Sequence, residues 1–161
     1  MNAQVVFWLK KINLLIPFLW GVFCVLLNYL PCSFLPAYHQ SFPIVLIFIF
    51  YFSVFAPHHL GILAVFLLGL IDDFLSTAPF GMHAFIFSLF FFVSNLIRTY
   101  IFRLPFLQLW VVFAVLFLLI DIVWSWLFKM ASGMWVSASF WFVQYLIVCL
   151  IYPFFMWLTG H

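Results

Sequence analysis

Long apolar stretches separated by short breaks run along the whole chain, and they predict a bundle of membrane-spanning helices. The breaks are marked by proline, glycine and arginine, as in "PCSFLP", "APHH" and "RLP". Since a helix needs roughly 20 apolar residues to cross the hydrocarbon core, the pattern predicts six transmembrane helices in a single domain over residues 1–161. Their approximate limits are 12–30, 41–56, 59–75, 83–102, 105–128 and 135–158.

Two of these stretches, 41–56 and 59–75, are short for a membrane crossing. A short apolar helix either crosses with little tilt or sits partly enclosed by its neighbours. The pattern therefore also fits a five-span arrangement, in which these two stretches merge or insert halfway.

The composition indicates that this bundle is embedded in lipid. Of 161 residues, 70% are hydrophobic and 5% are charged, whereas a soluble domain carries roughly 25% charged residues. The polar stretches are too short to form an appended soluble domain, and nothing in the composition indicates a nucleic-acid partner. We expect an integral protein of a bacterial inner membrane, with lipid as its surroundings.

The first apolar stretch is interpreted as a retained helix. It follows Lys10 and Lys11 and extends to Leu30. Its length, roughly 19 residues, exceeds the 7–15 of a secretory signal, and "PCSFLP" does not resemble a cleavage site.

The basic residues predict the orientation. With six spans and an N-terminus inside, Lys10, Lys11, Arg98 and Arg103 are cytoplasmic, and Lys129 alone is outside. This distribution obeys the positive-inside rule. It predicts that both termini are cytoplasmic, that the "HH" turn is cytoplasmic, and that the loop after residue 75 is periplasmic.

The segment "GLIDDFLSTAPFG" carries two adjacent acids, Asp72 and Asp73, at the outward end of the third span. A helix C-terminus carries partial negative charge, so we expect compensating donors from the loop or from the free N–H groups of the next helix. Ser76, Thr77 and His83 are the side-chain candidates. Asp73 stands three positions before Ser76, a spacing typical of a local hydrogen bond that ends a helix.

The spacing within this segment distinguishes the two acids. Gly69 lies one turn before Asp73 and shares its face, and a glycine there allows another backbone to approach closely. Asp72 lies about 100° around the helix, and we expect it to be a hydrated carboxylate at the interface. We predict that Asp73 is the functional acid and that it caps the turn leading to Gly81.

A third acid, Asp121, lies well inside the fifth span. Ser88 and Gln144 reach a similar depth on spans four and six, which predicts a buried polar cluster of Asp121, Ser88 and Gln144, capped by His83 and the acidic loop. Three interpretations of Asp121 fit: it holds the bundle together, it contacts a partner or ligand, or it handles protons or ions.

Motifs of known catalytic chemistry are not found. The sequence contains no HExxH, GxSxG or P-loop pattern. "DDFLS" resembles the DDxxD motif of membrane prenyl transferases but lacks its third acid, because Ser76 stands where that motif has its last Asp. The three cysteines form no CxxC pair and no Cys/His cluster. We expect no enzymatic activity, no cofactor and no metal.

Four residues carry a family resemblance. Gly69, Asp73, Ser76 and Gly81 fit the G-x(3)-D-x(2)-S-x(4)-G segment of the MreD family of rod shape-determining membrane proteins. The length, the six spans, "APHH" at 56–59, "LIDIVW" at 119–124 and "YPFFMWL" at 152–158 are also similar to that family. The sequence departs from it at Asp72, where an apolar residue is usual, at Thr77, and in a C-terminus with fewer basic residues.

The resemblance implies a fold similar to the S components of energy-coupling-factor transporters. It also implies a non-enzymatic role in the cell-wall elongation complex, where MreD binds MreC and works beside RodA, a class B penicillin-binding protein and MreB. The alternative is a membrane subunit that binds a vitamin-like small molecule, with the outer polar cluster lining its pocket.

Overall fold

Six α-helices make up the structure, a computed structural model that describes residues 3–29, 44–76, 79–133 and 138–158. Each helix overlaps one of the six predicted apolar stretches, but α1 begins nine residues before the predicted limit of 12–30 and includes Lys10 and Lys11. Their bounds are α1 Ala3–Asn28, α2 Ile44–Phe55, α3 Ile62–Leu75, α4 Met82–Ile101, α5 Phe106–Ser132 and α6 Ala138–Leu158.

The helices differ in how far they can reach across a membrane. Among the described residues, α4 and α5 are by themselves long and apolar enough to cross. At about 1.5 Å per residue, the 12 residues of α2 and the 14 of α3 reach only about 18 Å and 21 Å. Both fall short of a hydrocarbon core of about 30 Å.

Helices α3 and α4 form a tight antiparallel hairpin. A Cβ added at Gly69 would stand 2.4 Å from the Ala84 Cα and 2.8 Å from the His83 carbonyl oxygen, so the two backbones touch there. The close approach expected from a glycine at this position is thus confirmed, with α4 as the approaching backbone. Helix α1 lies beside α3 in the same direction, with Gly21 against the Leu68 side chain.

The centre of the bundle is filled with aromatic rings from four helices. Tyr152 of α6 stacks on Phe113 of α5 with ring centroids 4.4 Å apart, and both lie edge-on to Phe50 of α2. Phe90 of α4 completes the cluster, and all four rings are fully buried. Each buries a large apolar area and adds pairwise aromatic contact, so this cluster holds α2, α4, α5 and α6 together.

Helix α2 is largely enclosed by its neighbours. Its residues from Val45 to Phe50 are buried without interruption, a pattern that belongs to a helix surrounded by protein. Of the alternatives predicted for the second stretch, partial enclosure by its neighbours is the one that agrees with this burial. Its last turn is also tied to α4, because Arg98 Nε donates to the Val54 carbonyl oxygen at 2.9 Å.

Consecutive helices from α3 onward run in opposite directions. His83 near the start of α4 meets Trp124 near the end of α5. Trp110 near the start of α5 donates from Nε1 to the Cys149 carbonyl oxygen of α6 at 3.0 Å. The end of α3 therefore lies at the same end of the bundle as the end of α5 and the start of α4.

Candidate functional site

Asp73 caps the start of α4 with its carboxylate. Its Oδ2 accepts hydrogen bonds from the backbone N–H groups of Gly81 at 2.9 Å and Ala84 at 3.2 Å, and its Oδ1 accepts one from the His83 N–H at 2.8 Å. A helix N-terminus leaves such N–H groups without intrahelical partners, and here a side chain from the preceding helix satisfies three of them. The expected donors from the next helix are present.

The geometry also resolves the charge conflict at the end of α3. A carboxylate is unfavourable at a helix C-terminus, but the partial positive charge of a helix N-terminus stabilises it. Gly81, the residue that precedes α4, has φ of 90°, a left-handed conformation that glycine adopts without steric cost. Gly81 thus lets the chain turn so that the N–H groups of α4 point at Asp73.

Asp72 is buried, and the expectation that it is a hydrated interfacial carboxylate is wrong. Only 1% of its surface is exposed. The Tyr29 hydroxyl donates to Asp72 Oδ1 and to the Asp72 carbonyl oxygen, each at 3.0 Å. The 100° that separates the two acids around the helix turns Asp72 toward α1 rather than toward solvent, so this acid joins α1 to α3.

His83 links the two carboxylates. Its Nδ1 lies 2.9 Å from Asp73 Oδ1, and its Nε2 lies 3.7 Å from Asp72 Oδ2. The ring is held between Phe87 of its own helix and Trp124 of α5, with centroid separations of 6.1 Å and 6.4 Å. The imidazole therefore connects the α3–α4 turn to the C-terminal part of α5.

Ser76 ends α3. Its backbone N–H donates to the Asp72 carbonyl oxygen at 2.9 Å, and its hydroxyl donates to the Asp73 carbonyl oxygen at 3.3 Å. The predicted local hydrogen bond between these positions is present, with the main-chain oxygen of Asp73 as its acceptor. Thr77 lies outside the described residues.

The polar cluster predicted from depth alone does not form as one network. Within the described part of the chain, no hydrogen bond joins Asp121, Ser88 and Gln144; the Ser88 hydroxyl instead donates to the Ala84 carbonyl oxygen of its own helix at 2.7 Å. His83 pairs with Asp72 and Asp73. Depth along an apolar helix is readable from the sequence, but rotation about the axis is not, and rotation decides which side chains meet.

Tyr29 is the member of this site that sequence reasoning missed. It is 43 residues away from Asp72, so no local spacing could indicate the contact. The signal that could have found it is shared depth, because the predicted topology places the end of the first span and the end of the third on the same side.

All four carboxylate oxygens of Asp72 and Asp73 have partners within the protein. Both Asp73 oxygens accept backbone N–H groups, one Asp72 oxygen accepts a hydroxyl, and the other faces His83. In the described ranges, no group of three or more acidic, histidine or cysteine side chains is arranged to hold a metal ion. A network of this kind fixes three helix ends in place.

An exposed aromatic pair flanks this locked turn. Phe74, the neighbour of Asp73 on α3, is 75% exposed, and Phe80, just before Gly81, is 65% exposed. Their rings meet edge to face with centroids 5.0 Å apart. The hydrogen bonds of Asp73 hold both residues in position. Phe74 directly follows Asp73 in the chain, and Phe80 directly precedes Gly81, whose N–H donates to the Asp73 carboxylate.

Comparison with known proteins identifies the family of this chain. The family model of the rod shape-determining protein MreD matches residues 9–160, nearly the whole chain. No curated protein and no solved structure matches the chain significantly. The MreD family consists of membrane proteins with a role in rod shape determination, and this chain belongs to it.

Proposed function

We propose that this protein is a non-enzymatic component of the bacterial cell-wall elongation complex that controls rod shape by binding MreC. RodA, the class B penicillin-binding protein and MreB are then partners in the same assembly, directly or through MreC. The observation that carries the proposal is the capping of α4 by Asp73, which uses both carboxylate oxygens to fix a turn. An acid engaged in this way acts as a structural element and not as a base or nucleophile.

The surface offered to MreC in this proposal is the exposed Phe74–Phe80 pair beside the turn. Exposed aromatic side chains are typical anchors of protein interfaces, where they bury a large area at a small entropic cost. The Asp73 network holds the pair in one arrangement before a partner arrives, and such preorganisation lowers the cost of binding.

The same proposal includes six membrane crossings that form one domain in the inner membrane, with both termini in the cytoplasm. The alternating directions of α3 to α6 support it, and so does the excess of basic residues on one side. In that orientation the Asp73 turn faces the periplasm. A fold similar to that of the S components of energy-coupling-factor transporters also belongs to this proposal.

The geometry favours this function over binding of a vitamin-like molecule. A small-molecule pocket needs polar groups that converge on the ligand. In the outer site, Asp72, Asp73 and His83 contact one another, Tyr29 and the backbone of α4. These groups are engaged within the protein.

The experiment compares two variants at native expression level in the bacterium. In Phe74→Ala/Phe80→Ala we expect MreC recovery on purification to fall severalfold and cells to lose rod shape, while the thermal midpoint of the purified protein changes little. The matched control is Phe85→Ala, since Phe85 is also exposed (52%) but lies on α4 beyond the turn. Equal MreC recovery from both variants would show that the aromatic pair is not the docking surface.

A further inference from the structure

Asp121 is a carboxylate in the middle of an apolar helix. Helix α5 spans 27 residues, and at about 1.5 Å per residue Asp121 lies about 23 Å from its start and about 17 Å from its end. Its side chain is half-buried. An ionisable group at this depth is costly and almost always pairs with another polar group.

The neighbours of Asp121 show which way it faces. Phe117, one turn earlier on the same side of α5, stacks on Tyr145 of α6 with ring centroids 5.9 Å apart. Ala114, two turns earlier, accepts a hydrogen bond at its carbonyl oxygen from the Tyr145 hydroxyl at 3.3 Å. Since residues at i−4 and i−7 share a face, Asp121 lies on the next turn of the flank that α6 borders.

The side chains that the structure describes supply no donor to this carboxylate. The Tyr145 hydroxyl is directed to Ala114, the Ser88 hydroxyl to Ala84, and the His83 ring to Asp72 and Asp73. Asp121 itself makes no hydrogen bond within the described part of the chain. Among the described side chains, this carboxylate therefore has no hydrogen-bond partner.

The surface beside Asp121 is apolar and partly exposed. On α5, Leu118 is 44% exposed, and on α6, Phe142 is 65% exposed. The antiparallel pairing of Ala114 with Tyr145 and of Trp110 with Cys149 places Phe142 near the level of Phe117, about one turn from Asp121. Ala114 and Ser125 on the same flank are small, and small residues allow transmembrane helices to approach closely.

We propose that the α5 flank around Asp121 is the docking groove for a transmembrane helix of a partner protein that carries a hydrogen-bond donor side chain at mid-depth. The inference rests on the proposed function, since it requires assembly with other membrane proteins. Acyl chains offer no donor. A second copy in a two-fold contact would bring a second carboxylate to the same place. A helix with a lysine, arginine, hydroxyl or amide side chain complements both the carboxylate and the apolar walls.

The test places a photo-crosslinking amino acid at Leu118 in the full-length protein in its native host. The matched control is Leu119, which is also exposed (53%) but lies about 200° around the helix from Asp121. We expect the Leu118 probe to give an adduct that maps to a transmembrane segment of another protein, with a donor side chain within one turn of the attachment point. We expect the Leu119 probe to give no such adduct.

The dependence on the carboxylate is measured with two substitutions. Asp121→Leu should lower the yield of the Leu118 adduct by about five-fold, the factor expected for loss of one hydrogen bond between transmembrane helices. Asp121→Asn keeps an acceptor oxygen and should retain most of the yield. An adduct confined to lipid or to a second copy would overturn the proposal. So would a yield unchanged by Asp121→Leu in a protein whose own thermal midpoint falls, because the carboxylate would then act inside the bundle.

The adduct also separates this proposal from the docking of MreC at the periplasmic turn. If MreC recovery falls in Phe74→Ala/Phe80→Ala while the yield of the Leu118 adduct does not depend on Asp121, only the docking-groove proposal is refuted. If the Leu118 adduct depends on Asp121 while Phe74→Ala/Phe80→Ala recovers MreC undiminished, only the proposal that MreC docks at the periplasmic turn is refuted.

Discussion

At the scale of single residues, Asp72 and Asp73 are neighbours in the chain that bind different helices. Asp73 accepts the N–H groups of α4, and Asp72 accepts the Tyr29 hydroxyl beyond α1. The role of Asp73 in the turn was predictable, because Gly69, Ser76 and Gly81 stand at local spacings from it. The role of Asp72 was not, because its partner Tyr29 is 43 residues away in the sequence and no local spacing indicates which side of α1 faces α3.

The first prediction compares Asp73→Asn with Asp72→Asn. Asparagine at 73 keeps one acceptor oxygen but turns an NH2 group toward backbone donors, and an unsatisfied buried donor costs about 1–3 kcal/mol. Asparagine at 72 keeps an acceptor for Tyr29. We therefore expect Asp73→Asn to lower the thermal midpoint, the MreC recovery and the fraction of rod-shaped cells more than Asp72→Asn does. Round cells with Asp72→Asn and normal cells with Asp73→Asn would refute this ranking.

At the scale of helices, the short α3 is stabilised by its contact with α4. Fourteen residues form a marginal helix by themselves in water, and α3 is also short for a bilayer. Two contacts with α4 compensate for the shortness of α3. They are the touching backbones at Gly69 and the cap that Asp73 forms on α4. The six helices could be predicted from the breaks in the apolar pattern. Whether Asp121, Ser88 and Gln144 meet could not, since the side of a helix that faces inward depends on its packing, and the cluster predicted from their depth does not form.

The second prediction concerns Gly69→Ala. The added Cβ would stand 2.4 Å from the Ala84 Cα, and a backbone atom cannot move aside as the end of a side chain can. Forced overpacking of this kind costs about 1–3 kcal/mol or more, so we expect a lower thermal midpoint and less protein in the membrane.

Gly61→Ala is the control for that substitution. Gly61 precedes α3 with φ of −84°, and an added Cβ there meets nothing within 4 Å. Its thermal midpoint should equal that of the unchanged protein. Equal stability of the two alanine variants would mean that α3 and α4 do not touch at Gly69.

At the scale of the whole molecule, the protein is a bundle with one polar end locked and a central aromatic cluster. Tyr29, Asp72, Asp73 and His83 join α1, α3 and α4 at that end. Arg98 ties α4 to the last turn of α2 at the opposite end. Family membership was predictable because the motif residues are also the residues that build the turn.

The third prediction concerns topology. Six crossings with a cytoplasmic N-terminus place the C-terminus in the cytoplasm, so a phosphatase that works only in the periplasm should be inactive when fused after His161. A fusion after Lys129 truncates the protein at the outer end of α5 and should be active. Phosphatase activity at the C-terminus would exclude the six-span arrangement.

The enclosure of α2 has a consequence for how the protein is made. During synthesis α2 leaves the ribosome before α4, α5 and α6, the helices whose rings cover it. A helix of about 18 Å would thin the bilayer around it if it stood there alone. We expect α2 to be held by the insertion machinery until α4 arrives, so that the chain enters the lipid as a group of helices and not one at a time.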